Sequence, residues 1–230
     1  QENFSIDRSI KLEKIDAEFV IVGGGVAGVC AAIAAARNGI KTALIQDRPI
    51  LGGNGSSEVR LWILGATSHM GNNNRWAREG GIIDEILVEN TFRNKEGNPV
   101  IFDTVLIDKV LEEKNILLFL NTVVYDIVKG DDKNVSAVKA YNSQNETEYL
   151  INGKLFCDAS GDGILAYLAG ATYRVGAEER DEFNERFVRD KAEYGEKLGH
   201  TLFFYTKKTT KPVKFVRPEF ALSKEFVEKE

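Results

Sequence analysis

The apolar positions of this chain change their period as it is read from the amino terminus. Residues 1–16 are polar and read as a lead-in. Phe19-Val20-Ile21-Val22 is then a short continuous apolar run, the pattern of a parallel strand buried on both faces. Val26 to Asn38 is alanine-rich and helical in composition, and Asn38-Gly39 stops it. Lys41 to Gln46 predicts a second strand, which ends at Asp47. The next stretch, "RPILGGNGSSEVRLWILGATSHMGNNNRWAREGG", is rich in glycine, asparagine and serine and has little periodicity. Loops of that length in a compact domain are usually functional or disordered, and the interleaved Leu51, Leu61, Trp62, Ile63 and Leu64 argue against disorder.

Helical spacing returns in "GIIDEILVEN", which puts Ile82, Ile83, Ile86 and Leu87 on one face. A second helix is expected from Asp103, taken as its N-cap, through Lys114, with Leu106, Ile107, Val110 and Leu111 toward the core. Ile116 to Asn121 predicts a third parallel strand. "TVVYDIVKG", "NVSAVKAYN" and "TEYLING" are short alternating or β-branched runs divided by turn residues, the pattern of a three-stranded antiparallel meander. "KLFCDAS" returns to an apolar strand and enters a second glycine turn and helix, "GDGILAYLAG". Glu178 to Leu198 reads as a charged surface helix with Phe183, Phe187 and Tyr194 near one face. "HTLFFYTKKTTKPVKFVRPEF" reads as two strands around a basic turn. The fold class expected is therefore α/β: a Rossmann-like parallel sheet plus a meander over residues 1–176, and the start of a second, substrate or cap domain over 177–230.

Composition narrows the function classes. The 230 residues are 43% hydrophobic and 28% charged, near the globular norm, with no apolar run long enough to span a bilayer. A net charge of -5, from 35 acidic and 30 basic residues, argues against a nucleic-acid partner and for a small molecule or a protein partner. Cys30 and Cys157 lie in apolar surroundings and read as core residues, so they do not fix the redox compartment. The chain begins at Gln1. A cleaved signal peptide would account for that and would make the protein periplasmic or secreted; otherwise the cytoplasm is expected.

The chemistry concentrates where the first strand meets the first helix. Gly23, Gly25 and Gly28 have the G-x-G-x-x-G spacing between a predicted strand and a predicted helix. In such a turn the first glycine permits the bend, the second admits a pyrophosphate, and the third lets the helix sit close to the strand. Free N–H groups and the helix dipole then meet the anion. Asp47, about 20 residues further on, is placed to accept the hydroxyl protons of an adenosine ribose.

Taken together, the glycine turn, "RPILGGN", the meander and "DASGDG" resemble the FAD-dependent oxidoreductases of the glutathione-reductase-like two-domain type, and most of all their bacterial members. The likeness runs from about Ala17 to Gly176 and extends through "GHTLFFYT". It implies that FAD is the cofactor and that Gly23, Gly25 and Gly28 take its pyrophosphate. By the same resemblance Asp47 would hold the adenosine ribose, where the family more often has glutamate, and Arg48 would lie on the adenine side. Gly52, Gly53 and Asn54 match the loop passing the diphosphate and ribityl chain. Val124, two past Thr122, matches a strand residue whose backbone meets adenine, and Gly161 and Asp162 match the return turn. Such flavoproteins finish with a further strand and a glycine-aspartate motif, so the resemblance also implies that this chain is an amino-terminal portion.

The reaction implied is hydride transfer from an unidentified small organic substrate to the flavin N5, with an unknown electron acceptor. No catalytic residue is assigned. His69, Arg60, Glu58 and Arg75 lie in the loop expected to run toward the flavin and are candidates for binding substrate. His69 alone reads first as a loop hydrogen-bonding residue, and His200 has no better claim. The histidines and carboxylates show no metal-ligand spacing, so no metal is expected. Two other readings share the glycine turn: an NAD(P)-dependent dehydrogenase, against which the meander counts, and a non-catalytic or truncated dinucleotide-binding domain.

Overall fold

A computed structural model describes residues 9–63, 79–131, 133–184, 206–214 and 216–220, with 186, 188, 190, 191, 195 and 197. The chain divides into two compact units, Gln1–Glu196 and Lys197–Glu230. In the first, a parallel sheet holds four strands in the order β4 (Ile116–Phe119), β3 (Thr42–Ile45), β2 (Phe19–Val22) and β8 (Leu155–Asp158). The central strands β2 and β3 are buried on both faces, which is why FVIV and TALI read as continuous apolar runs.

The two faces are separated by the strand period. Ile21 and Leu44 point toward α1 (Val26–Arg37), α2 (Ile82–Arg93) and α3 (Pro99–Leu111), packing with Val29, Ile33, Ile86 and Leu106. Val20, Val22, Ala43 and Ile45 point the other way, onto Val124, Val138, Ala140 and Ile151 of a second sheet. That sheet is the expected meander of β5 (Thr122–Lys129), β6 (Val135–Asn142) and β7 (Thr147–Asn152). α4 (Ile164–Ala169) follows β8 through the second glycine turn and buries Leu165 in the same core.

The structure corrects the sequence reading at four places. Lys11–Asp16, expected within a polar lead-in, is strand β1, and it pairs in parallel with β7 at the edge of the second sheet. Its residues are exposed or half-buried, so the strand leaves no apolar run in the sequence. The helix expected from Asp103 starts at Pro99, with Asn98 as N-cap accepting a hydrogen bond from the Val100 N–H at 3.0 Å. Proline at the first helical position is pre-set for the turn, and that signal outranks an aspartate further in. Asp103 instead is buried inside α3. Of the helix expected over 178–198, the described residues hold only α5 (Arg180–Phe183), ended by Asn184 at φ +54°. Phe183 is exposed there, and a helix without a buried face gains little from packing. Phe187 and Tyr194 lie outside the described residues. In the second unit, residues 206–214 and 216–220 hold no strand, while 200–205 lie outside the described residues.

One ion-pair network joins the three helices on their outer side. Arg37 of α1 donates from Nη1 and Nη2 to Glu85 of α2 at 2.8 and 2.9 Å, and from Nε to Glu113 at 2.7 Å. Lys109 of α3 lies 3.3 Å from the same Glu85 carboxylate. The Arg37 hydrogen bonds outweigh partial burial and hold the Glu85 carboxyl at about 2, below its usual 4.5. A carboxyl depressed in the folded state stabilises it above the usual value and loses that contribution as pH falls toward 2. Glu85→Gln should therefore lower Tm at pH 7, by roughly 0.5–1 kcal/mol of stability for so exposed a group. The gap between variant and wild type should close in thermal melts taken from pH 5 down to 2.5; a constant gap would assign Glu85 no electrostatic role.

Candidate functional site

The parallel sheet reverses its direction of growth between β2 and β8, since β3 and β4 lie on one side of β2 and β8 on the other. Open α/β sheets bind ligands outside the carboxyl ends of the strands at such a point. A cleft of about 730 Å³ lies there, lined by Gly23, Gly25, Asp47, Arg48, Gly53 and Gly161 among others. A neighbouring cavity of about 250 Å³ is lined by Val22, Asp47, Thr122, Val124 and Asp162. The two share Gly23, Gln46, Asp47 and Ser160. Gly52 and Asn54 also line the larger one. Of the positions that the sequence assigned to the cofactor, Gly28 alone lines neither, and Arg60, a candidate for binding substrate, lines neither as well.

The three glycines of the first turn stand in different surroundings. Gly23 has φ +107°, and a β-carbon there would lie 2.2 Å from the Ala159 carbonyl oxygen. A β-carbon on Gly28 would lie 1.9 Å from the Gly23 carbonyl oxygen. Both are glycine because β2, α1 and the end of β8 meet there with no room for a methyl group. Gly25 has an ordinary φ of -62°, and among the described residues a β-carbon on it would meet nothing within 4 Å. Its bare face opens on the cleft, so the protein's own packing does not ask for glycine. Gly25 is also the N-cap of α1 and offers no side-chain cap, and the first turn of the helix has no acidic residue. A space that a β-carbon would fill, beside an uncapped helix start, fits a dinucleotide pyrophosphate.

The loop is braced by residues that sequence reasoning passed over. The Gly24 N–H donates to Gln46 Oε1 at 2.7 Å, and Gln46 Nε2 donates to the Ile50 carbonyl at 3.2 Å. Gln46 is buried, so this side chain is a structural pin between the glycine turn and the segment after Asp47. A polar residue closing an apolar strand was the available signal. The Gly52 N–H donates to the Gly24 carbonyl at 2.8 Å, and Gly25 and Gly52 form a parallel bridge. Asp103, displaced from its expected capping role, accepts from the Ser57 N–H at 2.9 Å and anchors this loop to α3.

The return turn is fixed by Asp158 and Ser160. Ser160 Oγ donates to Asp158 Oδ1 at 2.6 Å and accepts from the Gly163 N–H at 3.0 Å. The Ala166 N–H donates to Asp158 Oδ2 at 2.9 Å. Burial pushes the Asp158 carboxyl up, but hydrogen bonds from Ser160 and the N–H groups of Ala166 and Leu165 together hold it below the usual range. Aspartate two residues before a serine is a turn signal legible in "DAS".

Asp47 is exposed at the end of β3, on the rim shared by the two cavities. Arg48 next to it is paired with Glu58 through two hydrogen bonds of 2.8 Å, which raise the guanidinium pKa. Arg60 has a left-handed φ of +62° and donates from Nε to the Ser57 carbonyl at 2.9 Å. His69, Arg75 and His200 lie outside the described residues.

A family model for FAD-dependent oxidoreductases matches residues 18–228. The chain belongs to that family. Its cofactor is FAD, and the open, glycine-lined cleft fits that group. No protein of curated function matches it in sequence. Among solved structures it is similar to L-proline dehydrogenase from P. horikoshii, at 17% identity over 77% of this chain and 26% of that one, TM-score 0.40. It is similar also to a geranylgeranyl bacteriochlorophyll reductase-like protein from Thermoplasma acidophilum, at 20% identity over 70% and 43%, TM-score 0.47. THI4 from Thermovibrio ammonificans matches at 20% identity over 71% and 67%, TM-score 0.47. The chain thus spans from about a quarter to two thirds of those relatives. Among the described residues, no helix is long and apolar enough to cross a membrane.

The differing surroundings of the glycines predict opposite results from similar substitutions. Gly28→Ala should destabilise the chain by about 1–3 kcal/mol or more through overpacking against the Gly23 carbonyl. Gly25→Val should stay within about 1 kcal/mol of wild type, since only the N-cap preference changes. Thermal melts without ligand separate the two; an equally damaging Gly25→Val would mean that its open face is occupied by protein.

Proposed function

We propose that this FAD-dependent oxidoreductase acts on a small organic substrate and belongs to the glutathione-reductase-like, bacterial type of the family. Residues 1–176 form its FAD-binding domain, and 177–230 begin the domain that shapes the substrate side. When bound, FAD supplies the redox chemistry by accepting a hydride at N5, and a separate acceptor takes the electrons onward.

The chain's own residues do the holding. Gly25 admits the pyrophosphate against the first-turn N–H groups of α1, while Gly23 and Gly28 keep that turn in place. Asp47 accepts from the ribose hydroxyls, with Arg48 on the adenine side. The backbone at Val124 meets adenine, and Thr122 keeps β5 beside this end by donating its N–H to the Gln46 carbonyl at 2.9 Å. Gly52, Gly53 and Asn54 flank the diphosphate and ribityl chain, and Gly161 and Asp162 close the opposite side. The observation that carries this reading is the open face of Gly25, a glycine in the cleft for which the fold has no packing need.

Titration of the purified chain with FAD and with NAD in parallel tests it. FAD should bind and NAD should bind poorly. Asp47→Ala should weaken FAD binding by about 1.5–3 kcal/mol through loss of charge-assisted hydrogen bonds. Gly25→Val should abolish tight binding while retaining the fold. Binding of NAD alone would favour a nicotinamide-dependent dehydrogenase, and unchanged FAD affinity in Asp47→Ala would move the ribose elsewhere.

A further inference from the structure

The pairing of Arg48 with Glu58 bears on which nucleotides the site refuses, and the argument rests on the FAD reading above. Arg48 directly follows Asp47, and both line the larger cleft at the end of β3. An arginine near the ribose carboxylate is the common means of accommodating a 2′-phosphate. Here that guanidinium is already engaged. Its Nε donates to Glu58 Oε2 and its Nη2 to Glu58 Oε1, each at 2.8 Å. This two-point geometry uses the planar fork that would otherwise grip a phosphate.

Glu58 reaches Arg48 from a braced backbone. Its N–H donates to Ser56 Oγ at 3.3 Å, and the Ser57 N–H donates to Asp103 of α3 at 2.9 Å. Ser56 is buried, and its hydroxyl donates to the Gly53 carbonyl at 2.7 Å. With Arg48 neutralised by Glu58, the exposed Asp47 carboxylate leaves the described charged residues of this rim net negative. Two ribose hydroxyls can donate to such a carboxylate, whereas a 2′-phosphate would meet it with no free cation from Arg48 to offset the repulsion. We propose that Glu58 is a specificity-determining residue: by sequestering Arg48, it makes the cleft refuse 2′-phosphorylated adenine nucleotides while taking the plain ribose of FAD.

The test compares ADP-ribose with 2′-phospho-ADP-ribose as probes, by calorimetry on the full chain, with FAD binding measured alongside. Wild type should prefer ADP-ribose. Glu58→Gln should improve the relative affinity for the 2′-phosphorylated probe by roughly tenfold, the worth of one charge-assisted hydrogen bond. The double variant Arg48→Ala, Glu58→Gln should lose that gain. A wild type with no preference, an unmoved ratio in Glu58→Gln, or an equal gain in the double variant would each overturn the proposal, the last by reducing it to a change in net charge. A wild type that binds FAD while the ratio stays unmoved sinks only the role of Glu58. One that binds neither FAD nor ADP-ribose sinks the reading of the site itself.

Discussion

The contact of Gly28 with the Gly23 carbonyl, and of Gly23 with the Ala159 carbonyl, fixes how β2, α1 and β8 converge. A methyl group at either position would occupy space already filled by backbone oxygen, so the separation of helix from strand ends is set by the absence of side chains. Everything in the cleft follows from that approach. It brings the start of α1 to the carboxyl edge of the sheet and puts the turn after β8 beside the turn after β2. It also leaves Gly25 facing outward with its β position empty. Gln46 then ties the turn to the segment beyond Asp47 through the Gly24 N–H, the kind of buried side-chain bond that specifies one loop conformation.

The sheet's two faces serve different ends. The helical face, with Ile21, Leu44 and Leu106 fully buried, supplies stability, and its outer side is laced by Arg37, Glu85 and Lys109. The meander packs on the other face through Val124, Val138 and Ile151, and so sets β5 along the smaller cavity beside Asp47. A plain nucleotide-binding half-sheet has no such second sheet. The charge on the rim is arranged within a short span, Asp47 standing exposed and Arg48 satisfied by Glu58.

Much of this was legible in the sequence wherever local pattern and tertiary role agree. The buried runs FVIV and TALI could be read because both faces of those strands are covered. The meander could be read from its alternation, and the N–H-rich turn from its glycine spacing. β1 could not, since its Lys11, Glu13 and Asp16 carry no apolar alternation and its register comes from pairing with β7, more than a hundred residues away in sequence. The helix expected after Glu178 is short among the described residues for the converse reason: its composition was helical, but Phe183 is exposed there.

The sequence by itself determined the order of strand, turn and helix, the glycine positions and the carboxylate that closes β3, because these depend on backbone conformation and local periodicity. Only the tertiary structure decided which glycine serves packing and which faces open space. It also decided that Asp103 anchors the loop of Ser57 instead of capping a helix, and that Arg48 is held by Glu58. These are questions of distance between segments, and a one-dimensional pattern carries no distance until the sheet has brought the segments together.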